Sequence, residues 1–314
     1  MTDPSKSYLK VHYEFRPAKQ VERRMLIDSL QMLAEGGFPI REYRYTGMGS
    51  VYFIDFVLFH RLLGLQRMTS VEYDNTIEKR VTFNRPFEFI DLHIAPIGDI
   101  IPTLSTDEKH ILWLDYDGIV SRNQLQDVAL AATYLTPGSI LLITIDVEPP
   151  TGTDSPKDWR EYFFAEAQDY LDKKTPLKAF AKSELPKRNV ELVENAIKAG
   201  LVGRSDVEFI PMFNFLYKDS NRMITVGGMF GGKAEKRKIR GSAVAEAFYF
   251  RSSLDSDPCT IRVPLLTRKE RQYLEALMPY KDSFSPKHFE IPVELLTSYR
   301  DIYRFCPSYA ELLV

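Results

Sequence analysis

Cysteine and long apolar runs are scarce in this sequence, and neither sign of charge dominates. Of 314 residues only Cys259 and Cys306 carry thiols. Two thiols build neither a disulfide framework nor a four-ligand zinc site by themselves, and they suit a reducing compartment. No run reaches the roughly 18 apolar residues of a membrane span, since the most apolar stretch, 51–65, is broken by Asp55, His60 and Arg61. The opening from Met1 to Lys6 has no signal peptide's apolar core. These features point away from secretion and the membrane and toward the cytoplasm. Lys and Arg number 41 against 43 Asp and Glu, a net charge of −2, so any grip on nucleic acid has to be local. The five histidines show no paired metal-ligand spacing. His60 falls on an apolar helix face, and His12 lies just before a basic helix. Internal repeats and low-complexity segments are absent as well.

What is present is an ordinary globular mixture, 44% apolar and 27% charged, long enough for one large domain or two modest ones. Residues 17–35 read as an amphipathic helix. Pro17 suits its first turn, Val21, Met25, Leu26, Leu30 and Leu33 recur at helical spacing, and Gly36-Gly37 ends it. Short apolar runs at 41–47, 68–73, 91–96, 110–115 and 139–146 then alternate with helical stretches at 50–64, 75–83, 122–134 and 189–200. This alternation predicts a doubly wound α/β fold around a mostly parallel sheet, with 139–146 as a central strand buried on both faces. Runs at 207–217 and 222–230 predict a closing antiparallel hairpin. The expected organisation is a helical N-terminal arm (1–40), a sheet domain (41–232) with an insertion at 148–188, and a mainly helical C-terminal subdomain (233–314). A strand at 247–251 is expected in the last of these.

The chemistry gathers at the strand ends. Tyr45-Thr46-Gly47-Met48-Gly49-Ser50 closes the first sheet strand and opens a helix, and its two glycines allow a sharp turn and close approach of a ligand. The nicotinamide fingerprint wants a third glycine where Tyr52 stands, and no phosphate-clamping lysine follows. An adenosine ligand without phosphates is left. Glu72 ends the second strand, 25 positions after Gly47, placed to accept from ribose hydroxyls. Gly98-Asp99 follows the third strand, and Asp115-Tyr116-Asp117-Gly118 ends the fourth.

In these residues the sequence resembles the class I S-adenosylmethionine-dependent methyltransferases over about 41–232. The segments Arg16 to Arg23, Tyr45 to Phe53 and Trp113 to Gly118 look like a bacterial group labelled O-methyltransferases. The resemblance implies a seven-stranded Rossmann-like sheet, parallel except for one strand of a terminal hairpin, and S-adenosylmethionine as cofactor. It assigns Gly47 and Gly49, with Thr46 and Met48 in the same turn, to the methionyl moiety. It further gives Glu72 to the ribose, Asp99 to the adenine and Asp115 to the methionyl amino group. The Asn- or Asp-Pro-Pro-Tyr/Phe stretch of amino-methylating nucleic-acid enzymes is replaced here by Asp115-Tyr116-Asp117-Gly118, and no Pro-Cys pair follows the fourth strand.

Tyr116 and Asp117, one step past Asp115, are the candidate catalytic residues, although Asp-Gly is equally ordinary turn chemistry. Asp117 and Asp146 end adjacent strands, as the acids of metal-dependent O-methyltransferases do, but the third ligand pattern is missing, and no metal is expected. Arg16, Lys19, Arg23 and Arg24 share helical spacing, and the run Lys233 to Arg240 carries five positive charges. Together these two stretches can track a phosphate backbone, so a nucleic-acid acceptor is slightly favoured over a protein or small molecule, with Arg16, Lys19 and Arg23 as substrate-binding residues. The alternative is a non-catalytic cofactor sensor or a partner subunit of a larger assembly.

Overall fold

The computed structural model describes residues 15–307, apart from 206 and 282; His12 lies outside them. Among the described residues the first helix is α1 (Pro17–Glu35). Pro17 occupies the first turn, where its missing N–H costs no hydrogen bond. Val21, Met25, Leu26, Leu30 and Leu33 are all buried, and the chain leaves the helix through Gly37, whose φ of 88° lies in the left-handed region.

Strands β1 (Arg44–Gly47), β2 (Arg67–Glu72) and β3 (Ile90–Ile94) alternate with α2 (Ile54–Leu63) and α3 (Glu78–Asn84). Then come α4 (Ile97–Ile100), β4 (His110–Ile119), α5 (Arg122–Tyr134) and β5 (Ile140–Asp146). Two helices, α6 (Pro156–Ala167) and α7 (Leu185–Gly200), precede the hairpin of β6 (Glu208–Lys218) and β7 (Arg222–Gly231). The remainder comprises α8 (Lys233–Arg240), β8 (Cys259–Ile261), α9 (Arg268–Glu275) and α10 (Val293–Ile302).

The sheet order is β3-β2-β1-β4-β5-β7-β6-β8. Every pairing that avoids β7 is parallel, and β7 runs antiparallel to both β5 and β6. The expected Rossmann-like sheet is therefore present, with an eighth strand added at its edge. That strand also corrects the expectation for 247–251, which is a turn. Tyr249 is buried there, and its hydroxyl donates to Asp28 at 2.7 Å, so the apolar character of this stretch serves packing against α1.

Alternation along the central strands splits the core in two. Ile111 and Trp113 of β4 and Ile140 and Leu142 of β5 pack on one face, with α1, α2 and the C-terminal helices. Leu112, Leu114, Leu141, Ile143 and Ile145 pack on the other, with α5, α6 and α7. All seven residues of β5 are buried, as a strand covered on both faces requires.

Between β1 and β4 the strand order reverses. Helix α1 crosses its face of the sheet, and its N-terminus lies at the carboxyl edge. There the β6–β7 turn supplies Asp219, whose carboxylate accepts from the backbone N–H of Ala18 at 2.9 Å and of Lys19 at 3.1 Å. A carboxylate at a helix N-terminus satisfies orphan donors and meets the positive end of the dipole.

Candidate active site

At the carboxyl edge, where the order reverses between β1 and β4, lies a cavity of about 620 Å³. This is the place where open α/β sheets bind ligands, and the volume is of ligand size. Met48 and Ser50 line it from the turn after β1, Glu72 from the end of β2, and Asp115, Tyr116 and Asp117 from β4.

The turn after β1 needs bare backbone for packing before any ligand is considered. A Cβ on Gly47 would meet the Tyr45 hydroxyl, and one on Gly49 would lie 2.6 Å from Ser70 Oγ. Ser50 and Phe53 both take φ of 50°, a conformation non-glycine residues adopt only at a cost of order 1 kcal/mol. Gly47 and Gly49 thus shape the turn, while Met48 and Ser50 reach the cavity. Thr46 is fully buried beneath, and neither its Oγ1 nor Ser70 Oγ has a hydrogen-bond partner among the described residues.

Glu72 is held by its own loop: Oε1 accepts from the N–H of Tyr73 at 3.0 Å and of Asp74 at 3.3 Å. Burial raises its pKa above the usual carboxylate value, partly offset by those two amides.

Asp115 is joined to α1. Lys19 Nζ donates to Asp115 Oδ1 at 2.7 Å, pairs with Glu22 Oε2 at 2.9 Å and sits 4.4 Å from the Trp113 ring centroid. Burial alone would raise the Asp115 pKa, but the charges of Lys19 and Arg23 outweigh it and hold the carboxyl below its ordinary value. Arg23 Nε pairs with Asp55. Lys19 is 0% exposed and Arg23 2%, which corrects the expectation of an outward basic face: these side chains lie between α1 and the sheet, out of reach of a phosphate backbone. Arg16 alone of the three lines the cavity.

Asp117-Gly118 is not a turn. Strand β4 runs on to Ile119 through a bulge after Asp115, leaving Asp117 exposed at the cavity. Tyr116 lines the cavity beside it but is engaged: its hydroxyl donates to Asp127 Oδ2 at 2.7 Å, and burial pushes its pKa far above the ordinary value. Asp99 is exposed on α4 and does not line the cavity, whereas Asp127 of α5 does. Burial raises the Asp127 pKa. Sequence reading missed Asp127. Its signal was its place three residues after Gln124, on the helix face that begins at Ser121 and Gln124, which also line the cavity.

Asp146 is occupied by structure, accepting from Glu148 N at 2.7 Å and Asn221 Nδ2 at 2.6 Å. The basic run becomes α8, which begins where β7 ends, beside the start of β5. This is the sheet edge opposite the cavity.

A family model described as "Putative O-methyltransferase" matches residues 11–314. The chain belongs to that family. No curated protein matches the sequence. Among solved structures, the N-methyltransferase NodS from Bradyrhizobium japonicum, in complex with S-adenosyl-L-homocysteine, is 10% identical over 74% of this chain and 94% of its own, with a TM-score of 0.41. The O-methyltransferase TomG from Streptomyces achromogenes, in complex with S-adenosylmethionine, is 13% identical over 72% and 94%, with a TM-score of 0.36. The Methanococcus jannaschii fibrillarin pre-rRNA processing protein is 11% identical over 62% and 68%, with a TM-score of 0.33.

The methyltransferase family's cofactor can be tested against the residues present. Among the described residues five carboxylates line the cavity, from Glu72, Asp74, Asp115, Asp117 and Asp127, against one cation, Arg16. Such a wall opposes a phosphate group and suits a ligand with a sulfonium, an ammonium and a ribose diol. The buried hydroxyls of Thr46 and Ser70 lie under the same turn. The donor set fits S-adenosylmethionine.

Proposed function

We propose that this protein binds S-adenosylmethionine in the cavity at the ends of β1, β2 and β4 and transfers its methyl group to an oxygen of a small acceptor. The single observation that carries the reading is the acidic cavity at the point where the strand order reverses, with Glu72 and Asp115 on its wall. Bound there, the cofactor would supply a methyl group activated by positive sulfur. The chain's own residues do the rest. Glu72 accepts from the ribose hydroxyls, the turn of Met48 and Ser50 lies along the methionyl chain, and Asp115 faces its ammonium. Asp127, fixed by Tyr116, takes the place beside the adenine that sequence reading gave to Asp99. Asp117, exposed at the cavity, is the carboxylate available to receive a proton from an acceptor hydroxyl.

Charge placement favours a small neutral or cationic acceptor over nucleic acid. Lys19 and Arg23 are buried, α8 lies at the far edge, and the cavity wall is acidic. A polyanion would meet repulsion at the mouth. Incubation with methyl-labelled cofactor and separate pools of RNA, DNA, protein and small hydroxylated metabolites tests this. Label in the small-molecule pool supports the reading, and label in nucleic acid contradicts its acceptor. Tight cofactor binding with no transfer to any pool would replace the enzyme by a sensor.

A further inference from the structure

Helix α1 lies outside the strand-and-helix unit that carries the cavity, yet it delivers charge to the cavity's floor. Lys19 does not line the cavity, but its ammonium grips one carboxylate oxygen of Asp115, which does. We propose that Lys19 is a positioning residue of the methyl-transfer site, keeping the Asp115 carboxylate ionised and in place to receive the cofactor's ammonium. This rests on the cofactor reading above and deepens it.

The surroundings explain why a cation is needed there. From α1, Asp115 is faced by Lys19 and Arg23, with Arg16 further off. Glu22, on the same helix, presses a second carboxyl toward it. From β1 and β6, the buried phenols of Tyr45 and Tyr217 flank the group, and neither carries charge at neutral pH, since burial pushes both far above their ordinary range. From α2, Asp55 engages Arg23. If every acid in this cluster were ionised, Glu22, Asp55 and Asp115 would face Lys19 and Arg23, three charges against two. Burial raises the Glu22 pKa while Lys19 and Arg23 hold that of Asp115 below its ordinary value, so of the two acids at the Lys19 ammonium Asp115 is the more readily ionised. Asp219 fixes the helix end that carries Lys19, accepting from the Lys19 backbone N–H as well.

Removing the Lys19 charge would leave Asp115 desolvated beside acids, and its carboxyl would then protonate at a pH where the wild-type group is ionised. The defect therefore heals as pH rises. The experiment is a calorimetric titration of S-adenosylmethionine into full-length wild type, Lys19→Met, Lys19→Gln and Asp115→Asn between pH 5.5 and 8.5. The readout is the ratio of wild-type to variant affinity, which cancels the titration of the ligand and of Glu72.

For Lys19→Met that ratio is expected to be about tenfold or more at pH 5.5 and to shrink as pH rises, each unit of Asp115 shift being worth tenfold. Lys19→Gln, which keeps a hydrogen-bond donor in the slot, should show the same trend and serves if the methionine variant fails to fold. Asp115→Asn should show a ratio that does not change with pH. A constant ratio in folded Lys19 variants, or no loss of affinity, overturns the proposal. If the wild type itself fails to bind, it is the cofactor reading that fails.

Discussion

Single residues in this protein show how position overrules type. Lys19 and Arg23 look like a phosphate-binding face in the sequence, and helical spacing does put them on one face. That face is the inner one, because Val21, Met25 and Leu26 bracket them and Asp115 and Asp55 wait beneath. Nothing in the local sequence distinguishes an outward from an inward basic stripe, since the partners are 96 and 32 positions away.

Glu22 yields a prediction with a definite sign. Its folded pKa is raised above the ordinary 4.5, so the folded state holds a proton that the unfolded chain releases. Stability then falls as pH climbs from about 4.5 toward the folded pKa, by about 1.4 kcal/mol per unit while the proton is held. Glu22→Gln has no proton to hold, and its stability relative to wild type should grow over that window in urea melts at successive pH values. Parallel curves would mean that Glu22 is ionised in the folded protein.

Glu72 gives the companion effect on binding. Its pKa is also raised, so it loses its charge at a higher pH than an ordinary glutamate does. Cofactor affinity should decline as pH falls toward that raised pKa, at a higher pH than an ordinary glutamate would give, and titrations from pH 7.5 to 5 read this directly.

At the scale of elements, strands and helices were legible wherever periodicity was strong. Helix α1 over 17–35, helix α5 over 122–134 and the continuous apolar run of β5 are present as the pattern predicts. Failures occur where packing decides. β8 is three residues long and exists because β6 offers it an edge at Phe215 to Tyr217, which no local pattern announces. The stretch 247–251 looks like a strand because Tyr249 and its neighbours are apolar, yet it turns to place Tyr249 against Phe215 and Phe305.

Two substitutions probe element contacts. Helices α5 and α7 touch backbone to backbone, since a Cβ on Gly200 would lie 2.1 Å from Ala129 O. Gly200→Ala should therefore cost about 1–3 kcal/mol of stability, measured by denaturant unfolding. Asp219→Ala should cost about 1 kcal/mol by freeing the N-terminus of α1. Because that terminus carries Lys19, the same variant should weaken cofactor binding more than a distant surface change would.

For the whole molecule, what matters is that charge is separated along the strands. The carboxyl edge carries the acidic cavity, and the opposite edge carries α8 with exposed Lys233, Arg237, Lys238 and Arg240. Replacing those four cations with glutamine should leave cofactor affinity and methyl transfer unchanged, whereas a fall in transfer would place the acceptor across the far edge. The site's general location was legible because an acid ending β2 and a glycine turn ending β1 converge by topology alone. Its details were not, since Asp127 enters from a helix and Lys19 from a segment that precedes the sheet.

The most direct test of the account is a calorimetric titration of S-adenosylmethionine into the wild type and Glu72→Ala at pH 7.5. The account predicts one site per chain for the wild type and an affinity about tenfold to a hundredfold weaker for the variant, the worth of hydrogen bonds to a charged group. Wild-type protein that does not bind, or a variant that binds as tightly as wild type, would contradict it.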